Sequence, residues 1–261
     1  PITGITGPPG AGKSTLINAL VKHICSSTNV NGVPKQVAVV AVDPTSPFSH
    51  GSLLGDRLRM SEHFNNPQVF IRSLATRGAL GGLSAKTLEV IDVIRAAPFD
   101  HVIIETVGVG QSEVEIVTMA DTTVVVLVPE AGDEIQALKS GIMEIGDIFV
   151  VNKSDREGAD RFATGLIKTL HERPYNESWT IPVIKTVAAG NEGVDQLLTA
   201  IEKHHLQLSE DRRIYLLSER CYRLIQQERM RGITVAELRK LLVEKVNDPS
   251  FNLYRFVREI G

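Results

Sequence analysis

The sequence has little cysteine, and the two cysteines it has are not arranged to bind metal or to form a disulfide framework. Cys25 and Cys221 are the only two among 261 residues, and they lie far apart without a CxxC pair or a neighbouring histidine cluster. This spacing excludes a zinc ribbon and a disulfide-rich domain. It favours a reducing compartment, and we therefore expect a cytoplasmic protein.

Long apolar runs and a strong excess of one charge are also missing. The longest apolar runs, such as residues 37–42 and 123–128, are far shorter than the roughly 20 residues that a membrane-spanning helix needs. The formal charge is −3, from 28 basic and 31 acidic side chains. We therefore expect neither a membrane nor a nucleic acid as a partner, and any bound anion must be held by a local site. Because the sequence opens almost directly on a predicted strand, a native N-terminal segment with targeting information could precede Pro1.

Residues 1–208 alternate between short β-branched runs and longer amphipathic stretches. The predicted strands cover residues 1–5, 36–42, 69–71, 101–105, 123–128, 148–151 and 181–185. The predicted helices cover residues 13–25, 85–97, 134–144, 158–171 and 194–205. Strands that are apolar on both faces and separated by helices are typical of a parallel sheet covered on both sides. The sequence therefore predicts a three-layer α/β domain with a mostly parallel central sheet.

Residues 209–261 are predicted to form a helical C-terminal extension. Ser209 can cap a long helix with apolar side chains at helical spacing, and Thr234 with Glu237 forms a capping-box pattern at the start of a second helix. Pro249 is expected to end that second helix. The extension could pack on its own domain, or it could serve as an arm for dimerisation or for docking a partner.

A glycine-rich segment follows the first predicted strand and precedes the first predicted helix. It matches the phosphate-binding P-loop pattern GxxxxGK[ST], and this position between a strand and a helix is the one the pattern requires. Its backbone amides would cradle the phosphates, Lys13 would reach the β- and γ-phosphate oxygens, and the Ser14 hydroxyl would bind Mg²⁺. The predicted nucleotide-binding residues are Gly7, Pro8, Pro9, Gly10, Ala11, Gly12, Lys13, Ser14 and Thr15, the last of them near the α-phosphate.

Two carboxylates stand at the ends of predicted strands, where a P-loop protein needs acidic groups for its metal. Asp43 ends one strand and Glu105 ends another, although each could instead cap a following helix. Glu105 opens the sequence ETVG, which matches the DxxG element of GTPases with glutamate in place of aspartate. Gly108 would then contact the γ-phosphate in a switch loop.

The sequence NKSD follows the strand predicted at residues 148–151. It matches the NKxD motif, in which the aspartate carboxylate accepts hydrogen bonds from the guanine ring N–H and its exocyclic amine. Asn152, Lys153 and Asp155 are therefore predicted to bind the base. Together with the P-loop they predict a P-loop NTPase whose ligands are GTP and GDP rather than ATP.

At these motifs the chain resembles the MeaB/ArgK family of GTPases. The matching strings are GPPGAGKST at 7–15, VDPTSPFSHGSLLGDRLRM at 42–60, RSLATRGALGGLS at 72–84, ETVGVGQSE at 105–113, PEAGDEIQALKSG at 129–141 and NKSD at 152–155. The resemblance implies a GTPase chaperone that gates cofactor loading and protects an adenosylcobalamin-dependent acyl-CoA mutase, usually methylmalonyl-CoA mutase.

The resemblance also implies roles for further residues. It places Asp43 and Asp56 near Mg²⁺ beside Ser14 and Glu105, although Asp56 could also cap a helix. Arg59 and Arg77 are candidates for stabilising charge at the γ-phosphate, with a solvated position as the alternative. The predicted additional switch toward the mutase, or otherwise an ordinary exposed helix face, contains Asp133, Gln136 and Lys139.

Three features depart from the family pattern. The sequence from Pro1 onward does not include the helical extension that usually precedes the first strand in the family, so any contact of that extension is not predicted, and His50 stands where a second glycine is common. The guanine-side SAx loop reads Thr186-Val187-Ala188-Ala189, so only a backbone amide, that of Ala188, is expected to contact the base.

Hydrolysis is expected to be slow without a partner. Gln111 could order the attacking water, but no glutamine directly follows Gly108 as in Ras-type enzymes. Three alternatives stay open: a metabolic P-loop kinase, a nickel or zinc insertion GTPase, and the GTPase domain of a fused acyl-CoA mutase. The metal-insertion alternative lacks the cysteine or histidine clusters that such proteins carry.

Overall fold

A seven-stranded parallel sheet forms the centre of the protein. The computed structural model describes residues 1–43, 60–75, 85–106, 116–132, 142–171, 179–248 and 250–260. The strands are β1 Ile2–Thr6, β2 Val37–Asp43, β3 Val69–Ala75, β4 His101–Thr106, β5 Thr122–Leu127, β6 Ile148–Asn152 and β7 Val183–Thr186. Their order across the sheet is β3-β2-β4-β1-β5-β6-β7, and every neighbouring pair is parallel. The prediction of a mostly parallel sheet is confirmed.

Helices cover both faces of this sheet. Those of the α/β part are α1 Lys13–Cys25, α2 Ala85–Ala96, α3 Ile142–Ile145, α4 Ala159–His171 and α5 Val194–Leu206. On one face, α1 and α5 pack against alternate strand residues such as Val124 and Val126. On the other face, α2 packs beneath β2 and β4, and α4 packs against Val125 and Leu127. The predicted three-layer architecture is therefore confirmed.

The central strands are buried over their whole length, as the apolar runs predicted. All residues of β1, β4, β5 and β6 are buried, because side chains that alternate between the faces meet a helical layer on each side. Strand β1 lies between β4 and β5, so the loops that follow these strands meet at one edge of the sheet. Ligands of open α/β sheets bind at the carboxyl ends of the strands, which makes this edge the place to look for a site.

The described residues after 208 form three helices: α6 Glu210–Arg229, α7 Val235–Lys245 and α8 Leu253–Ile260. The Ser209 hydroxyl accepts from the Arg212 amide at 3.2 Å, and the Thr234–Glu237 capping box is present, so both predicted helix starts are confirmed. The sequence interpretation missed α8, which begins four residues after Pro249 with Asn252 accepting from the Arg255 amide at 3.1 Å.

The chain forms two compact units, Pro1–Leu216 and Leu217–Gly261, whose division falls inside α6. The predicted division into a GTPase domain, residues 1–208, and a helical extension, residues 209–261, stays a prediction. Among the described residues, no helix is both long and apolar enough to cross a bilayer.

Candidate nucleotide-binding site

The glycine-rich segment lies between β1 and α1, as predicted, and its backbone needs glycine. Gly7, Gly10 and Gly12 have φ angles of 138°, 78° and 88°, a region that other residues rarely adopt. At Gly12 a Cβ atom would overlap the Asn152 side-chain amide, and at Gly7 it would overlap the Val126 carbonyl oxygen. The loop is therefore held close to the carboxyl ends of β5 and β6.

Lys13 is buried at the start of α1, and its ammonium lies against the glycine-rich segment. Nζ donates to the carbonyl oxygens of Gly7 at 2.8 Å and Pro8 at 3.0 Å. A lysine inside the curve of a phosphate-binding loop can deliver its positive charge to phosphate oxygens there. The Lys13 ammonium thus lies at the phosphate-binding loop, where the sequence pattern predicts it.

Ser14 and Glu105 meet although they lie 91 residues apart in the chain. The Ser14 hydroxyl donates to Glu105 Oε1 at 2.7 Å, and both residues are buried. Ser14 is in the first turn of α1, and Glu105 is the penultimate residue of β4, the strand paired with β1. The structure therefore brings together two of the residues predicted to bind the metal.

A second pair of side chains joins β4 to β1 on the opposite face of the sheet. The Thr106 hydroxyl donates to Thr6 Oγ1 at 3.0 Å, and both residues are at most 1% exposed. Thr6 directly precedes the glycine-rich segment, and Thr106 directly follows Glu105. Neither threonine is among the site residues predicted from the sequence.

Asn152, the first residue of NKSD, connects three loops through its side chain. Nδ2 donates to the Ala11 carbonyl oxygen at 2.9 Å, while Oδ1 accepts from the Thr186 hydroxyl at 3.0 Å and the Ala188 amide at 3.1 Å. Ala188 lies in the short helix Ala188–Gly190 after β7, together with the predicted Ala189, and Val187 precedes it. The residues predicted to contact the base therefore do lie next to the predicted phosphate loop.

Lys153 makes a second connection between NKSD and the P-loop. Its Nζ donates to the Gly10 carbonyl oxygen at 2.8 Å, and its backbone has a φ angle of 56°, which is uncommon for a lysine. Arg156, just after NKSD, forms an ion pair with Glu130, which lies in the short 3₁₀ helix Pro129–Gly132 after β5. Hydrogen bonding to Arg156 lowers the pKa of the Glu130 carboxyl below its usual value.

Asp155 lies at the rim of a cavity of about 610 Å³ between the NKSD loop and the turn from β7 to α5. The carboxylate is exposed, as a base-recognition group must be before the base binds. Of the residues predicted to contact the base, Asp155 and Val187 line this cavity, and most of its other lining residues lie along β7 and at the start of α5. The site consequently has a buried phosphate side and an open base side.

Several predicted residues lie outside the described part of the chain. Asp43 is the last residue of β2, at the correct edge of the sheet, but the position of its side chain is not described. The others outside the described residues are His50, Asp56, Arg59, Arg77, Gly108, Gln111, Asp133, Gln136 and Lys139. The roles given to them above stay predictions.

Three threonines were missed by the sequence analysis as site residues: Thr6, Thr106 and Thr186. Each is buried at the carboxyl end of its strand, with its hydroxyl bonded to a residue of the site or of the adjoining strand. A polar residue directly beside a motif, at the end of an otherwise apolar strand, was the available signal for them.

Comparison with known proteins agrees with this geometry. The profile of the family described as Methylmalonyl Co-A mutase-associated GTPase MeaB matches residues 2–245. A putative GTPase of Pyrococcus abyssi is 48% identical over 230 residues, which cover 87% of this chain and 68% of the relative. GTPase ArgK of Escherichia coli is 38% identical over 205 residues, which cover 76% of this chain and 59% of that protein. The mouse methylmalonic aciduria type A homolog, mitochondrial, is 38% identical over 209 residues.

The chain spans about half to two thirds of the length of these relatives, from 49% of the mouse protein to 68% of the archaeal one. Among solved structures, that of LAO/AO transport system kinase has a TM-score of 0.63 at 24% identity, covering 99% of this chain and 80% of the other. HypB from Helicobacter pylori in complex with nickel has a TM-score of 0.55 at 18% identity, covering 80% of this chain and 89% of the other. These two similarities concern the fold alone. By its matched profile and its relatives, the chain belongs to the MeaB family of P-loop GTPases.

Proposed function

We propose that this chain binds GTP with Mg²⁺, hydrolyses GTP slowly, and uses the bound nucleotide to control a partner enzyme. The observation that supports this most strongly is the side chain of Asn152, which bonds the guanine motif to the P-loop at Ala11. Two loops that are hydrogen-bonded to each other in this way suit a nucleotide that is bound by its phosphates at one loop and by its base at the other.

Mg²⁺ fits the residues at the phosphate end. Ser14 and Glu105 supply a hydroxyl and a carboxylate oxygen 2.7 Å apart, both buried at the carboxyl end of the central strands. Magnesium prefers such hard oxygen ligands and shares them with substrate phosphates. When bound, the ion would neutralise charge on the phosphate oxygens; Asp43 and Asp56 are the further proposed ligands.

Lys13 is the proposed source of positive charge for the phosphoryl oxygens. Its ammonium is held by the Gly7 and Pro8 carbonyl oxygens, and phosphate oxygens would replace these acceptors when nucleotide binds. The amides of the P-loop and the positive end of α1 add to the same stabilisation. Arg59 and Arg77 stay candidates for stabilising charge at the γ-phosphate, and Gln111 stays a candidate for ordering the attacking water. Turnover without a partner is proposed to be slow because the partner completes this arrangement.

Guanine selection is proposed to come from the Asp155 carboxylate, with Lys153 and the loop at Val187, Ala188 and Ala189 packed around the base. The exposure of the Asp155 carboxylate supports this role, because a group that recognises the base must be open to it. A carboxylate can accept two hydrogen bonds from guanine, and adenine does not offer those donors in that arrangement.

The proposed partner is an adenosylcobalamin-dependent acyl-CoA mutase, which the chain would load and protect as a chaperone. Two printed descriptions support it: the family is named as associated with methylmalonyl-CoA mutase, and a mouse relative is named for methylmalonic aciduria. The segment at Asp133, Gln136 and Lys139 is the proposed switch toward that partner. The bacterial and archaeal relatives favour action in the cytoplasm.

We also propose that the chain forms a homodimer through its C-terminal helices. Large apolar side chains of α6 and α8 are solvent-exposed, including Tyr222, Ile225, Tyr254 and Val257. Exposed apolar surface of this kind marks interaction sites in soluble proteins. Light scattering after gel filtration would test this proposal, and a monomer at micromolar concentration would contradict it.

Phosphate release measured with GTP and with ATP, each with and without Mg²⁺, tests the enzymatic proposal. We expect slow, Mg²⁺-dependent release of free phosphate from GTP alone, and faster release when a purified acyl-CoA mutase is added. Transfer of the phosphate to a small molecule or a protein side chain would instead support the kinase alternative. A rate of phosphate release from GTP that does not change when the mutase is added would contradict the chaperone role while leaving the GTPase role intact.

A further inference from the structure

Two consecutive residues at the end of β4 face opposite sides of the sheet, and each bonds to the phosphate-binding unit. Glu105 belongs to the face covered by α1, where it accepts from Ser14 at 2.7 Å. Thr106 belongs to the other face, where its hydroxyl donates to Thr6 at 3.0 Å. The alternation of side chains along a strand makes this two-sided attachment possible.

The register of the sheet brings these groups together. Ile5 of β1 lies beside Glu105 of β4, so Thr6 and Thr106 are the next residues along paired strands. Thr6 is followed directly by Gly7, the first residue of the P-loop. The hydroxyl pair therefore joins the last residue before the P-loop to the residue that follows the proposed metal-binding carboxylate.

Burial makes the pair sensitive to change. Thr6 is 0% and Thr106 is 1% exposed, so water does not compete for their hydroxyls. A buried hydroxyl that loses its hydrogen-bond partner destabilises the folded protein, whereas an intact pair restrains both strand ends.

We propose that Thr6 and Thr106 are positioning residues that hold Glu105 in register with Ser14 for Mg²⁺-dependent hydrolysis. They act through Glu105 and touch neither the nucleotide nor the metal. The proposal rests on the proposed GTPase function, and it gives a role to Thr6, which precedes the P-loop, and to Thr106, a position that the DxxG pattern leaves open. As a consequence, the loss of the single hydrogen bond between these two hydroxyls should change the Mg²⁺ requirement of the site.

The test uses the full chain with Thr106→Val and Thr106→Ser. Valine keeps the shape of threonine and removes the hydroxyl, while serine keeps the hydroxyl and removes a methyl group. We expect Thr106→Val to lower kcat for GTP about 10-fold and to raise the Mg²⁺ concentration at half-maximal rate, because a positioning hydrogen bond is lost. Thr106→Ser should restore both values to within about twofold of the original chain.

A second readout does not depend on turnover. The dissociation rate of a fluorescent GDP analogue is measured with Mg²⁺ and with a chelator. In the original chain Mg²⁺ should slow dissociation, and in Thr106→Val this slowing should shrink while the rate in chelator stays the same. Thr6→Val should behave in the same way, and the double variant should be no worse than either single one, because both remove one shared bond.

The matched control is Thr122→Val. Thr122 is 1% exposed, and its hydroxyl lies 2.9 Å from His204 Nδ1 at the opposite end of the sheet. It should lower Tm as Thr106→Val does while leaving the Mg²⁺ requirement unchanged. The proposal is overturned if Thr106→Val keeps the original Mg²⁺ dependence, or if Thr122→Val shifts it equally. An original chain that does not hydrolyse GTP would contradict the proposed function, and the GDP dissociation assay would still decide the positioning role.

Discussion

The side-chain amide of Asn152 donates to the carbonyl oxygen of Ala11 across 2.9 Å, joining two loops that lie 141 residues apart in the sequence. Lys153 makes a parallel connection to Gly10 at 2.8 Å. The residues that select the base and the residues that hold the phosphates are therefore parts of one hydrogen-bonded unit. A substitution that displaces one of the two loops should therefore also displace the other.

Replacement of Gly12 by alanine tests this connection. Gly12 has a φ angle of 88°, and an added Cβ would overlap the Asn152 amide. We expect Gly12→Ala to lower the free energy of unfolding by about 3 kcal/mol, from the sum of backbone strain and a disturbed buried hydrogen bond. Chemical denaturation in the absence of nucleotide measures it.

Gly32→Ala is the matched control for that substitution. Gly32 has a φ angle of 74° but has open space around its Cβ position. It should cost only the backbone strain, about 1 kcal/mol. Equal losses in the two variants would show that the contact between the loops has no energetic weight.

Glu105→Gln tests the proposed metal-binding carboxylate. Glutamine retains the shape and can still accept from Ser14, so the fold should persist, but the negative charge that Mg²⁺ requires is lost. We expect GTP hydrolysis to fall about 100-fold, since a metal contributes several kcal/mol to such a reaction. A phosphate-release assay across a Mg²⁺ titration measures the loss.

The corresponding control is Glu202→Gln, which removes a carboxylate that pairs with Lys35 at 2.8 Å at the other end of the sheet. It should leave hydrolysis unchanged. Hydrolysis by Glu105→Gln within twofold of the original rate at saturating Mg²⁺ would rule out the proposed role.

Acid should destabilise the protein through histidines at the amino-terminal ends of the strands. Burial, with a smaller effect of the Lys35 charge, lowers the pKa of His101 to about 4 from its usual 6.5. Because the folded pKa lies below the unfolded one, the stability is complete above pH 6.5 and is lost as the pH falls toward 4. At pH 5 this one group should cost about 2 kcal/mol.

His101→Gln should therefore reduce the difference in unfolding free energy between pH 7.5 and pH 5. Some acid sensitivity should persist, because burial also lowers the pKa of His204. His171→Gln, at the exposed end of α4, is the control and should not alter the difference. An unchanged pH dependence in His101→Gln would contradict the assignment.

The sequence predicted elements well wherever local patterns decide them. Helix α1 begins at Lys13 and ends at Cys25 as expected, and the Thr234–Glu237 capping box is formed. Both follow from interactions within a few residues. Helix α8 was missed because it is eight residues long and follows Pro249, so its periodic pattern is too short to stand out.

The contacts between distant parts of the chain were harder to foresee. Glu105 and Ser14 could be paired in advance because motif chemistry requires both at one metal. Thr6 and Thr106 could not, since their contact depends on which strands are neighbours and in what register. Asn152 was expected to bind the base, while its bond to Ala11 follows only from the placement of β6 beside β5 and the P-loop.

Asp155 is proposed to make the site select guanine, and the nucleotide affinities of the original chain and of one variant test this proposal. Equilibrium displacement of a fluorescent GDP analogue by GDP, ADP and xanthosine diphosphate should be measured for the original chain and for Asp155→Asn. We expect the original chain to prefer GDP over the other two by about 100-fold or more, because adenine lacks both donors and xanthine has a carbonyl oxygen facing the carboxylate in place of the amine. Asp155→Asn should reverse the preference toward xanthosine diphosphate, whose carbonyl can accept from the new amide. Equal affinity of the original chain for GDP and ADP, or an unchanged preference in Asp155→Asn, would show that Asp155 does not select guanine.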